Sequence, residues 1–278
     1  MIRCGRISYT NDLPVYAAFD AGAVAFPGSL TLGVPTDLNR LLLDGDLDCS
    51  PVSSFFYAQH AAELLLLPGI CIGSRREVRS IYCVSTRPPS TLAGAPIAVT
   101  RESATGRALF ATICATYYGF TPDFVESDDP YGAYAADGSP CVVIGDRAID
   151  AYLSAPSGHT FDLGELWRDL SGLEMVYAVW AARRETVERD SAVLNAAHLA
   201  LTLALDWGER NIGDVIARAQ AQIARPPGFY DAYYAALNFR FDRPAQAGLS
   251  SFFAAASASG LLASAPRLEF IHEVPSRV

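Results

Sequence analysis

Short apolar runs alternate with helix-patterned segments through the first two thirds of the chain, and this alternation restricts the fold more than any other feature. Strands are expected at 2–8, 30–34 and 47–52, within 62–71, and at 80–85, with helices at 14–20, 35–43 and 53–60 between them. Pro14 and Pro35 suit first helical positions, and Gly45 suits a helix end. A second set follows the proline-rich segment 86–90. Its strands are expected at 96–100, 123–125, 141–145 and 175–181, and its helices at 104–117, 130–136 and 147–153. From 190 onward the pattern is helical (190–211, 212–224, 228–237 and 244–262), with a last edge strand expected at 268–271. Strands separated by helices call for mainly parallel sheets covered on both faces.

A chain of 278 residues is long enough for two lobes of roughly 100–150 residues each. The strands at 80–85 and 175–181 bracket the second set and suit crossovers. The expected organisation is therefore a discontinuous first lobe, 1–84 plus 182–278, and an inserted second lobe, 85–181. That is an α/β, two-lobed arrangement like the type II periplasmic-binding-protein fold, with mixed, mainly parallel sheets and a hinged central cleft.

Composition removes whole classes of chemistry. Apart from its amino terminus and histidines, the chain has only arginine as a basic group, because it contains no lysine. A lysine Schiff base, a pyridoxal phosphate anchor and a Walker-type phosphate loop are excluded. The formal net charge of −9 disfavours nucleic acid and anionic membranes as partners, so an anionic ligand needs a local positive site. The six cysteines form no C-x-x-C pair and several sit in apolar runs, which suits buried thiols in a reducing compartment. No Cys/His cluster has ligand spacing, so no metal and no cofactor is expected. With neither a signal-peptide pattern at the start nor an uninterrupted apolar span, the expected location is cytoplasmic. Oligomeric state is not legible.

In open α/β sheets a ligand lies beyond the carboxyl ends of the strands. Four strand-to-helix corners draw attention there: Ser8-Tyr9-Thr10-Asn11-Asp12, Cys49 to Ser54, Glu102-Ser103-Ala104-Thr105-Gly106, and Gly145-Asp146-Arg147. Helix starts carry free N–H groups and attract carboxylates, although the same residues also serve as ordinary caps. None of the four histidines, His60, His159, His198 and His272, falls at a corner. Asp146 is the best-placed carboxylate. A site with no evident base points to binding, or to chemistry that needs little help from side chains.

The motifs Ile7-Ser8-Tyr9-Thr10-Asn11-Asp12-Leu13-Pro14, Ser50-Pro51-Val52-Ser53-Ser54, Arg79-Ser80-Ile81, Glu102-Ser103-Ala104-Thr105, Ile144-Gly145-Asp146-Arg147 and Asp162-Leu163-Gly164 resemble, in order along the chain, those of the MqnA-type chorismate dehydratases. Gly106 departs from the pattern, where serine is more usual. The resemblance implies a hydro-lyase of the futalosine route to menaquinone, acting on the small-molecule substrate chorismate. It implies Asn11 and Ser80 as catalytic residues, and Tyr9, Ser53, Ser103, Thr105, Gly106 and Asp146 as substrate-binding ones. Competing readings are a dihydroxynaphthoate synthase of the same pathway, which would need a well-placed base, and a non-enzymatic solute-binding protein or sensor for a small carboxylate.

Overall fold

The computed structural model describes residues 1–100 and 104–272. In chain order its elements are β1 (Ile2–Ile7), α1 (Leu13–Asp20), β2 (Gly28–Gly33), α2 (Pro35–Asp44), β3 (Cys49–Ser53), α3 (Ser54–Gln59) and β4 (Leu64–Ser74). Then come β5 (Ile81–Val84), β6 (Pro96–Val99), α4 (Ala104–Ile113), β7 (Asp123–Glu126), α5 (Pro130–Asp137), β8 (Cys141–Ile144), α6 (Gly145–Ser154), β9 (Thr160–Asp162) and α7 (Leu163–Ser171). The chain continues through β10 (Met175–Arg183), α8 (Arg184–Arg210), α9 (Ile212–Gln222), α10 (Phe229–Ala236), β11 (Leu237–Asn238) and α11 (Arg243–Ala258). Strands and helices fall where the apolar pattern put them, within a few residues. The exceptions are β9 with α7 and the two-residue β11, which the pattern did not reveal, the start of α8, expected at 190 and found at Arg184, and 268–271, which amounts to a single parallel bridge from Phe270 to Leu66.

The chain divides into two compact units. The first comprises Met1–Ile72, Ala178–Asp242 and the segment from Arg267; the second comprises Gly73–Tyr177 and Arg243–Pro266. These bounds differ from 1–84 plus 182–278 and 85–181 for a physical reason. Strand β5 is hydrogen-bonded to β8 and β9, so it belongs with the second sheet. Helix α11 packs on α4, and its Gly248 lies so close to the Glu174 carbonyl that a Cβ would sit 2.1 Å from that oxygen. Its Phe252 meets the Trp167 ring edge-on at 5.9 Å.

The first unit is built on a mixed six-stranded sheet, ordered β11-β4-β10-β3-β1-β2. β1 runs parallel to β2 and β3, and β10 runs antiparallel to β3. Its centre is tied by a buried chain of donors: Trp180 Nε1 donates to Tyr16 Oη at 3.0 Å, and Tyr16 Oη donates to the Gly5 carbonyl at 2.9 Å. Helices α1 and α8 approach so closely that a Cβ at Gly208 would meet the Pro14 oxygen at 2.0 Å, so glycine is required there. At the amino end of β1, buried Asp48 accepts from Arg3 and Arg189, each at 3.0 Å. Burial alone would raise its pKa, but the Arg3 side-chain and backbone hydrogen bonds and charge override this, and the net shift is downward.

The second unit carries a mixed five-stranded sheet, ordered β7-β6-β8-β5-β9. β6 is parallel to β7 and β8, whereas β5 is antiparallel to both β8 and β9. The antiparallel pairing places the amino end of β5 beside the carboxyl ends of β8 and β9. In the parallel part, the carboxyl end of β6 lies at the same edge. All six cysteines are buried, and none of them is in a disulfide. Among the described residues no helix is long and apolar enough to cross a membrane.

Candidate functional site

In the first unit the corner after β1 is a single 3-10 turn, Thr10–Asp12. Its backbone is held from two sides: Tyr234 Oη donates to the Thr10 carbonyl at 2.8 Å, and Gln222 Nε2 donates to the Ser8 carbonyl at 3.0 Å. The side chains it presents are not so well matched. Asn11 Oδ1 and both carboxylate oxygens of Asp12 are buried without a sound hydrogen-bond partner, as is Arg6 Nε. Burial holds the Asp12 carboxyl well above the usual carboxylate range, and the nearby Arg6 guanidinium and Ile7 N–H lower it only in part. Arg6 is itself committed to Asp20 through two bonds of 2.7 and 2.8 Å. A recess of about 280 Å³ opens at this corner, lined by Arg6, Tyr9, Asp12, Leu30, Leu32 and Gln222 among others. Parallel pairing of Cys4 with Cys49 brings the carboxyl ends of β1 and β3 level, so Ser53 lies on the same sheet edge as Tyr9 and Asn11. Ser53 serves there as the cap of α3, its Oγ accepting the Phe56 N–H at 3.1 Å.

In the second unit the polar residues also share one sheet edge. The register Ile81 to Ile144 sets Ser80 opposite Gly145, whose N–H donates to the Ser80 carbonyl at 2.8 Å. Gly145 takes φ 65°, a left-handed turn that lets α6 start directly off β8 and puts half-buried Asp146 in its first turn. Thr105 and Gly106 start α4 beyond β6; Thr105 is buried and its hydroxyl donates to the Tyr177 carbonyl at 3.2 Å. Ser103 lies outside the described residues. Ser80 is 3% exposed, and its hydroxyl donates to the Val78 carbonyl at 3.3 Å.

Asp162, quoted in the sequence reading only as part of a motif, organises this edge. Its carboxylate caps α7, accepting from Gly164 N at 2.9 Å and Glu165 N at 3.1 Å. The same group accepts from Val78 N at 3.0 and 3.1 Å and from Arg79 N at 2.7 Å. Burial raises its pKa to about 6, against the pull of these four N–H groups. Arg79 has φ 59°, the one non-glycine residue with positive φ among those described. Behind it, Tyr177 Oη and Ser74 Oγ lie 2.9 Å apart, and Ser74 donates to the Arg76 carbonyl. The spacing Asp162-x-x-Glu165 is a helix-start signature that would have revealed α7.

Three of the four histidines are engaged in bonds elsewhere, and His272 lies with its ring 5.7 Å from that of His198. His198 Nε2 donates to the Pro68 carbonyl at 2.8 Å, and burial lowers its pKa. His159 Nδ1 is 2.6 Å from Tyr134 Oη, and His60 pairs with Glu63. Among the described residues no group of three or more His, Cys, Asp and Glu side chains is arranged to hold a metal ion.

The two sheets, joined as they are in the chain, have the periplasmic-binding-protein fold. The aliphatic sulphonate binding protein of Escherichia coli superposes with a TM-score of 0.63 at 13% identity, over 98% of this chain and 96% of that one. A protein of Archaeoglobus fulgidus gives 0.72 at 17% identity, over 94% and 98%. The sequence is more specific. Residues 2–258 match the menaquinone-biosynthesis family, and a chorismate dehydratase of Thermus thermophilus is 32% identical over 239 residues, 79% of this chain and 83% of that protein. The chain belongs to the menaquinone-biosynthesis family.

Proposed function

We propose that this protein is a chorismate dehydratase, a hydro-lyase that converts chorismate to 3-[(1-carboxyvinyl)oxy]benzoate and water. The observation that carries the reading is the 32% identity to a curated chorismate dehydratase over most of both chains. In this reaction the ring carbon bearing the enolpyruvyl ether gives up its proton and the neighbouring carbon its hydroxyl, leaving an aromatic ring. The proton is vinylogous to the ring carboxylate, so holding that carboxylate stabilises the negative charge that develops. Asn11 is assigned to the departing hydroxyl, and Ser80 to the substrate or its proton. Tyr9 and Ser53 in the first unit, and Ser103, Thr105, Gly106 and Asp146 in the second, are assigned to binding.

No lysine exists in the chain, and His60, His159 and His198 have other partners. Asp146 would repel a dianion. The enolpyruvyl carboxylate of the substrate, folded toward the ring, is the base in this proposal, because proximity within a bound conformer replaces a protein group. Purified protein is incubated with chorismate while the ultraviolet spectrum and proton resonances are followed. Loss of the ring-diene signals with growth of a 1,3-disubstituted benzoate is expected. Chorismate that binds but stays intact would instead make the protein a solute-binding member of the fold.

A further inference from the structure

We infer that Asp162 is the positioning residue for the Ser80 hydroxyl, holding the turn at Val78 and Arg79 in the conformation from which Ser80 projects. The inference rests on the assignment of Ser80 in the proposed reaction. Three observations converge on it. Arg79 occupies the left-handed region, which costs a residue with a Cβ about 1–2 kcal/mol, so the turn needs an external hold. The N–H groups of Val78 and Arg79 both point at one carboxylate that is 8% exposed, and the shortest contact, 2.7 Å, is to the strained residue. The same carboxylate is fixed to the first turn of α7, so the turn is referenced to a helix and not to solvent. Among the described residues nothing else so firm holds the Ser80 side chain: its hydroxyl bond to Val78 O is long at 3.3 Å, and the Gly145 bond fixes only its carbonyl. Without Asp162, the turn would rotate and carry Ser80 with it.

The competing explanation is that Asp162 only caps α7. Asp162→Ser separates the two, because serine caps helices about as well as aspartate but its oxygen is one bond shorter and cannot also reach Val78 and Arg79. Asp162→Ser, Ser80→Ala and the double variant are assayed for chorismate turnover alongside thermal melting. Asp162→Ser is expected to keep the α7 cap and to fold, melting below the parent because the Val78 and Arg79 N–H groups lose their acceptor, to lose roughly 10- to 100-fold in kcat with a smaller change in KM, and to slow Ser80→Ala no further when combined with it. Should Asp162→Ser fail to fold, Asp162→Asn, which keeps one acceptor for the cap, is read in the same way. Parent-like kcat, or losses that multiply in the double variant, overturns the positioning role alone. Full turnover by Ser80→Ala overturns the Ser80 assignment and the positioning role with it. Absence of turnover by the unsubstituted protein overturns the dehydratase reading, and with it both roles.

Discussion

The corner after β1 and the turn before β5 treat their buried carboxylates in opposite ways. At the first, Asn11 Oδ1 and the Asp12 carboxylate have no sound partner although the backbone around them is firmly held. At the second, a single carboxylate takes four backbone N–H groups, although Arg79 Nε beside it is left without a partner among the described residues. An unmet buried acceptor costs about 1–3 kcal/mol, so a fold tolerates several in one corner only where something else compensates. The contrast separates two tasks: one corner keeps its carboxylate's hydrogen-bonding capacity in reserve, and the other spends its carboxylate on holding its own shape.

Substitutions test that contrast, with the largest effect expected at the residues assigned to chemistry. Asn11→Ala and Ser80→Ala should each lower chorismate turnover by roughly 100- to 1000-fold, as removal of one preorganised donor does, with melting temperatures near the parent's. An Asn11→Ala variant that melts early but turns over normally would make the first corner structural.

Asp162→Ala should come next, losing about 2–3 kcal/mol in urea denaturation, since it strips the cap of α7 and leaves the buried Val78 N–H unpaired. The near-isosteric Asp12→Asn should go the other way, gaining about 1 kcal/mol at pH 7 by removing a buried ionisable group whose neighbours offset its burial only in part. If Asp12→Asn proves the more damaging of the two, the comparison is inverted.

The smallest effect is in pH. Both carboxyls have folded-state pKa values above the unfolded value, so the folded chain holds these protons more tightly. Their contribution to stability is therefore greatest below about pH 4 and falls as pH rises, with the Asp162 part lost by about pH 6. Unfolding free energies at pH 4.5 and 7 should show this fall in the parent and a shallower one in Asp162→Asn. Equal slopes would mean that Asp162 titrates as in the unfolded chain.

The pattern of apolar residues was enough to place most of these elements because each buries a face through its own local period. Leu38 and Leu42 are buried on α2, and Gly45 ends that helix in a left-handed turn, as the sequence indicates. Local period has nothing to say about which sheet a segment joins. Helix α11 reads as one more helix in a helical tail, yet the close approach at Gly248 and the Phe252 contact assign it to the second unit. Strand β9 has three residues, too few for any alternation to register. The candidate residues at strand ends were legible as types at corners. The part Asp162 plays was not, because its bonds to Val78 and Arg79 span more than eighty residues of chain.

The left-handed backbone at Arg79 has a consequence for how this sequence can drift. Its side chain makes a half-buried contact to Glu77, while its backbone shape depends on a carboxylate encoded far downstream. Positions 79 and 162 are thus not free to change independently. A lineage that loses the acid at 162 would be expected to acquire glycine or asparagine at 79, the residues that take this conformation at least cost. A lineage that already has glycine at 79 could lose the acid with less harm. The order in which the two changes arise therefore decides which intermediates keep a correctly shaped turn.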